Sequence, residues 1–173
     1  MELWDAYNRN GKKLDGQINR EAIIRGAKIP YGVYYMVASV VVKHRDGMYL
    51  VMRRAFEKPF YPGLWELGAG AVLMGESPVD WAKRVLYEET GIRSGEMSQT
   101  YQYIKGNEIR TIFLCITDIP KNDVLLKPKG TIGYKWLLRD ELLKFMKTKE
   151  FIPTTGERYY ANMHIINESE WCS

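Results

Sequence analysis

Cysteine and histidine are scarce in this chain of 173 residues, with two of each. Cys115 and Cys172 cannot build a disulfide scaffold, and neither has a partner at CxxC spacing. A reducing compartment is the simplest setting for such usage. His44 and His164 stand isolated, which speaks against an imidazole metal site. Long apolar runs are missing too. The longest, around Met36–Val42, falls far short of the ~20 residues a membrane helix needs. The start, Met1-Glu2-Leu3-Trp4-Asp5, lacks the basic residues and apolar stretch of a signal peptide. The expectation is a cytoplasmic protein with no membrane partner. An excess of one charge is also absent. The 25 basic and 21 acidic residues leave +4, too slight a bias to argue for a nucleic-acid polymer. No repeat or low-complexity segment occurs. What is there, 46% hydrophobic and 27% charged residues, is the composition of an ordinary globular chain. The length suits one domain.

The N-terminal stretch as far as Pro30 is polar, with turn signals at Asn8-Arg9-Asn10-Gly11 and Asp15-Gly16 and a weak helical signal over Asn19–Arg25. Val33 to Val42 is nearly continuous in apolar residues and predicts a strand buried on both faces. Arg45-Asp46-Gly47 predicts a turn, and Met48–Met52 the returning strand. Trp65–Val72 reads as strand and glycine-rich turn. Ser77 to Glu89 carries the clearest helical pattern, with Ser77 as N-cap, Pro78 in the first turn and Gly91 as the stop. Two β-rich runs follow, Thr100–Ile104 and Ile109–Thr117, joined through Lys105-Gly106-Asn107. Tyr134–Leu137 predicts a short strand and Asp140–Thr148 a helix. Hairpins mixed with helices argue for a mixed sheet with helices packed on it. Trp65, Trp81 and Trp136 read as core. Tyr101, Tyr103, Tyr159 and Tyr160 read as packing rather than as a pocket lining.

Chemistry concentrates around the clearest helix. A glycine loop, Gly70 to Gly75 and Glu76, leads into it, and its last turn carries Glu88 and Glu89. At ~3.6 residues per turn, positions 85, 88 and 89 share one face. Carboxylates there can hold a hard divalent cation, which prefers oxygen ligands. Such a cation binds phosphate oxygens and lowers the pKa of a bound water. Two adjacent glutamates alone more often make a solvated helix face. It is Gly70, Arg84 and Gly91 at fixed offsets that single this pair out.

The stretch resembles the signature of the Nudix hydrolase family, G-x5-E-x7-R-E-U-x-E-E-x-G-U, with U a bulky aliphatic residue. Gly70, Glu76, Arg84, Leu86, Glu88, Glu89, Gly91 and Ile92 match it, from the first position of the signature to the last; Val85 stands where the family has glutamate. The run Leu50-Val-Met-Arg53-Arg54, Lys58, Pro62-Gly63-Leu-Trp65-Glu66 and the later Tyr134-Lys-Trp136-Leu are similar to the family's flanking segments. The N-terminal part, with Trp4-Asp5, Gly16 and Arg20, resembles the subgroup related to isopentenyl-diphosphate isomerase. The strand before the box lacks the cysteine that isomerase chemistry uses in the family, so that activity is not implied.

The resemblance implies an α/β/α sandwich around a mixed sheet. It implies a single domain over residues 1–173, with an N-terminal extension (1–30) and a C-terminal tail (150–173). It implies Mg²⁺- or Mn²⁺-dependent hydrolysis of a diphosphate linkage in a small molecule, a nucleoside diphosphate joined to another moiety. Glu88 and Glu89 would be metal ligands or orient the attacking water, with the Gly70 carbonyl as a further donor. Arg84 would orient a helix carboxylate, and Glu76 would brace the loop. Arg53, Arg54 and Lys58 would face the diphosphate. Glu66 would either face the ligand or partner Arg84 or loop amides. The aromatic tail is compatible with a homodimer. Val85 has no lone pair and cannot coordinate metal. Either another acid, such as Glu108, Asp123 or Glu157, completes the site, or the chain binds its ligand with little or no turnover.

Overall fold

The computed structural model describes residues 2–93, 95–126 and 130–153. Among these, strands and α-helices follow one another as β1 (Leu3–Tyr7), β2 (Lys13–Asn19), α1 (Arg20–Ile24), β3 (Tyr35–His44), β4 (Tyr49–Arg54), β5 (Trp65–Glu66), β6 (Ala69–Ala71), α2 (Pro78–Thr90), β7 (Glu96–Lys105), β8 (Glu108–Thr117), β9 (Thr131–Leu137) and α3 (Arg139–Phe145). Seven strands form one mixed sheet, ordered β5-β4-β3-β8-β7, with β6 on β3 and β9 on β4. β3 and β8 run parallel over their full length, and the other pairs are antiparallel. Residues 157, 159, 160, 164 and 172, which the sequence singles out, lie outside the described residues.

The central strand β3 is buried on both faces, as its unbroken Val-rich run predicts. One face carries Ala38, Val40 and Val42 and meets Trp81, Ala82 and Leu86 of α2. The other carries Val41 and meets Leu142 and Met146 beside Phe151. Helices thus cover both faces, in the three-layer arrangement expected from the sequence.

α2 begins where the predicted cap stands: the Ser77 side chain accepts from the Asp80 N–H, and Pro78 occupies the first turn. It ends at Gly91, whose φ of 71° is left-handed and whose N–H donates to the Tyr87 carbonyl. The sheet opens beside this helix. β3 and β4 meet at Lys43↔Tyr49, next to the turn, and then part. The gap between them takes in residues 65–71, with β5 on β4 and β6 on β3. This opening places Glu66 and Gly70 under α2.

A Cβ on Gly70 would sit 2.8 Å from Cζ2 of the buried Trp81. The glycine lets the helix lie close to the sheet, whatever its carbonyl does. Gly70→Ala is expected to cost about 2 kcal/mol through overpacking. A thermal melt should show this as a fall of about 4–8 °C; an unchanged melt would mean that the indole moves aside freely.

The N-terminal segment ahead of β3 differs from the sequence reading. It forms a two-stranded sheet, β1 on β2, with its own small core of Trp4, Ala6 and Ile18 packed against Tyr35, Ala71 and Leu73. No strand is predicted there, because β2 is largely exposed and shows no clean alternation. The hairpin is tied to the loop ahead of α2. The Met74 N–H donates to the Leu3 carbonyl at 2.9 Å, and the Gly75 N–H to Asp5 Oδ2 at 2.8 Å. Asp5 is buried and also pairs with Lys13. Burial works to raise its pKa, but the Gly75 amide and Lys13 outweigh that and hold the carboxyl below its ordinary value.

Candidate active site

Three acids of the site come from two elements, and they differ sharply in environment. Glu88 is exposed near the end of α2 and accepts from Arg84 Nη1 at 3.0 Å. Glu89 is half-buried. Glu66, on β5, is 7% exposed. Antiparallel pairing of Met52 with Glu66 puts Glu66 on the α2 side of the sheet. There Glu66 and Glu89 come within electrostatic reach of each other.

Burial pushes the Glu66 carboxyl up to about 7, and the Glu89 charge adds to that, against the pull of Arg54 and Lys58. Glu89 is likewise raised, first by burial and then by Glu88, while Lys58 and Arg54 pull it down. A carboxyl taken out of water resists ionising, and a neighbouring negative charge adds to that.

Arg54 Nη1 holds Glu66 Oε1 at 2.6 Å, and its Nε donates to the Phe60 carbonyl. The partner of Glu66 is therefore Arg54 and not Arg84. Arg84 instead grips Glu76, with Nε on Oε1 at 2.7 Å and Nη2 on Oε2 at 3.0 Å. This fork spans the loop and α2 and ties residue 76 to the helix. Arg53, adjacent to Arg54, points to the opposite sheet face, as strand alternation requires. It pairs in register with Trp65, donates from Nε to the Gly63 carbonyl at 2.9 Å and lies over the Phe56 ring. The structure thus gathers Arg54, Lys58, Glu66 and Glu89 and leaves Arg53 on the far side.

Val85 is half-buried and packs against the core cluster around Trp81 and Leu86. Where the signature has a carboxylate, this chain has an apolar contact. Of the acids that sequence offers as replacements, Glu108 pairs in register with Tyr35 and so projects from the sheet face away from α2. Asp123 is exposed on a 3₁₀ turn. Glu66 is the acid that the fold brings to Glu89, through a strand register that no local pattern announces.

A family model for the NUDIX domain matches residues 34–155. The chain belongs to the Nudix domain family. It is 29% identical over 158 residues to lmo0368, an uncharacterized Nudix hydrolase of Listeria monocytogenes, with 88% of this chain and 89% of that protein covered. In fold it is similar to the crystal structure of DR0079 from Deinococcus radiodurans, at a TM-score of 0.73 and 18% identity over 93% of this chain and 99% of that one. It is also similar to the NUDIX domain of Shewanella oneidensis NrtR, crystallised with ADP ribose, at 0.53 and 15% identity over 73% and 88%. The Nudix model leaves the N-terminal hairpin outside its match, although the hairpin braces the Nudix loop.

Among the described residues, no three His, Cys, Asp or Glu side chains converge into a ready-made metal cage. The donors present are hard carboxylate oxygens, and burial raises the pKa of two of them, Glu66 and Glu89, each with a smaller push from a neighbouring glutamate. That suits an ion such as Mg²⁺, which commonly takes one or two carboxylates and completes its shell with water and substrate phosphates. No helix among the described residues is long and apolar enough to cross a membrane.

Proposed function

We propose that this Nudix protein hydrolyses the diphosphate linkage of a nucleoside diphosphate joined to another moiety, by attack of water on phosphorus. The observation that carries the reading is that Glu66, on the α2 side of the sheet, lies within electrostatic reach of Glu89 on the Nudix helix. In the proposed arrangement Glu89, Glu88 and the Gly70 carbonyl hold Mg²⁺ or Mn²⁺, and Glu66 supplies the carboxylate missing at position 85. A divalent cation bound there would neutralise diphosphate charge and lower the pKa of a water. The chain's residues do the rest. Arg84 orients Glu88 and, through Glu76, holds the loop; Arg54 fixes Glu66; Lys58 faces the diphosphate from beside the acids. Residues 1–173 act as one domain in this reading, with the N-terminal hairpin built into the site's support. The N-terminal part resembles isomerase-related Nudix proteins in sequence, and the reading includes no isomerase chemistry.

Phosphate release from a panel of nucleoside diphosphate derivatives and prenyl diphosphates, with Mg²⁺ and with Mn²⁺, tests the reading. Metal-dependent turnover of a nucleoside diphosphate derivative supports it, and turnover of the prenyl diphosphates alone would overturn the nucleotide part. Ligand binding without phosphate release above the metal-free blank would replace it with a binding protein.

Val85→Glu separates the roles. Because Glu66 already faces Glu89, the rate is expected to stay within about threefold of wild type. Burying a carboxyl against Trp81 should lower stability by about 1–2 kcal/mol. A tenfold or larger rise in rate would show that the gap at 85 limits catalysis and that Glu66 does not fill it.

A further inference from the structure

β7 is the outermost strand of the large sheet, and among the described residues only β8 pairs with it. It runs for 10 residues and is mostly exposed. A long uncovered edge offers a row of backbone donors and acceptors to another strand, and monomeric proteins blunt such edges with charge, proline or short length. β7 contains no proline, and its two charged residues, Glu96 and Lys105, stand at its ends. Between them lie Met97, Tyr101, Tyr103 and Ile104, with Tyr101 and Ile104 each 39% exposed.

The strand carries one irregularity. Its register on β8 slips between Gln99 and Tyr101 and leaves Thr100 as an extra residue. The Thr100 hydroxyl fixes this bulge by donating to the Ile112 carbonyl at 3.1 Å. The slip inverts the alternation of faces. Met97 and Gln99 stand opposite Cys115 and Phe113, on the α2 side. Past the bulge Gln102 and Ile104 hold that same side, opposite Thr111 and Ile109, which in turn pair with Ala38 and Met36. Glu96 and Ser98, then Tyr101, Tyr103 and Lys105, take the other face.

This makes the edge complementary to itself. Two copies of β7, antiparallel about a twofold axis beside Thr100, bring Glu96 against Lys105 of the second copy. Met97 then meets Ile104 of the second copy, Ser98 meets its Tyr103 and Gln99 its Gln102. Each pair shares a face, opposite charges meet, and apolar meets apolar. In an unbulged strand Met97 and Ile104 would face opposite sides, and no such register could form. Glu96 also lies 3.8 Å from Arg45 Nη2, an exposed contact that water screens. A lysine ammonium carries three donors, so Lys105 can serve Glu96 beside its other contacts.

We infer that β7 is the interface of a homodimer, in which the large sheets of two copies of this chain join edge to edge. Dimerisation of this kind goes beyond the proposed hydrolysis and does not depend on it.

Sedimentation velocity of the full chain over a micromolar concentration series is the test. A species of twice the 20.1 kDa chain mass is expected. Lys105→Glu sets a carboxylate against Glu96 at both ends of the interface and should weaken the dimer about tenfold or more. Glu96→Lys should do the same. The double variant, Glu96→Lys with Lys105→Glu, restores opposite charges in this register and should recover the dimer. Both positions are exposed, so circular dichroism should show the fold unchanged, and recovery in the double variant is a result that misfolding cannot give. A chain that stays monomeric overturns the inference and makes the bulge a device that protects the edge. A dimer that neither single variant weakens, or one that the double variant fails to recover, places the contact elsewhere and equally overturns it.

Discussion

With metal chelated, the melting temperature should fall as pH rises from 5 to 8. The cause is Glu66. Its carboxyl is held up to about 7 by burial and by Glu89, against an ordinary value of 4.5. Between those values the unfolded chain has released this proton and the folded chain still holds it. Stability therefore drops with rising pH across that window and levels off above it. A shift of this size corresponds to about 3 kcal/mol, as an order of magnitude. In a chain of this length that is about 6–12 °C in melting temperature. Glu89, shifted in the same direction, adds to the slope. Glu66→Gln should remove the larger part of it and leave the variant more stable than wild type at pH 8. A divalent cation favours the ionised carboxylates, so Mg²⁺ should raise the melting temperature more at pH 8 than at pH 5. A melt that is flat or rising over this range, and indifferent to Glu66→Gln, would remove the case for a destabilised carboxyl pair under α2.

Glu89→Gln is expected to lower kcat/KM about 100-fold or more, which equals about 2.7 kcal/mol of transition-state stabilisation. The amide keeps the shape of the side chain but loses the charge that the proposed cation needs. The same substitution should raise the melting temperature at pH 8 in chelator, since a neutral amide costs less to bury beside Glu66 than a second carboxylate. Lost activity together with gained stability is the signature of a functional site held at a cost. A variant that merely misfolds would lose both. Retention of activity within a few-fold would place the metal-binding carboxylate elsewhere and undo the assigned role of Glu89.

Much of this protein is readable from local pattern. The caps Ser77 and Gly91 bound α2 because they act on backbone groups within a few residues. The Val-rich run of β3 and the turn at Arg45-Asp46-Gly47 are equally local. So is the spacing from Gly70 to Ile92, which reveals the family because loop and helix are contiguous in the chain.

Other features depend on contacts between distant segments. The N-terminal hairpin is mostly polar and gains its stability from Tyr35, Ala71 and Leu73, far along the chain. Neither it nor the tie from Asp5 to Gly75 has a periodic signal. Sequence sets Arg53 and Arg54 side by side as equal candidates. Strand register then sends one to the Phe56 and Trp65 side and the other to Glu66.

The residues by themselves determined a mixed sheet with helices packed on it, the helix with its two terminal glutamates and the absence of a carboxylate at position 85; the three-layer sandwich came from the resemblance to the family. Tertiary structure alone decided that Glu66 comes within electrostatic reach of Glu89 and that Arg110 lines a cavity with Trp4 and Tyr35. The physical reason is range. Helix caps, turns and box spacing act over a few bonds. Burial, and the raised pKa it brings, is a sum over everything that folding packs around a group.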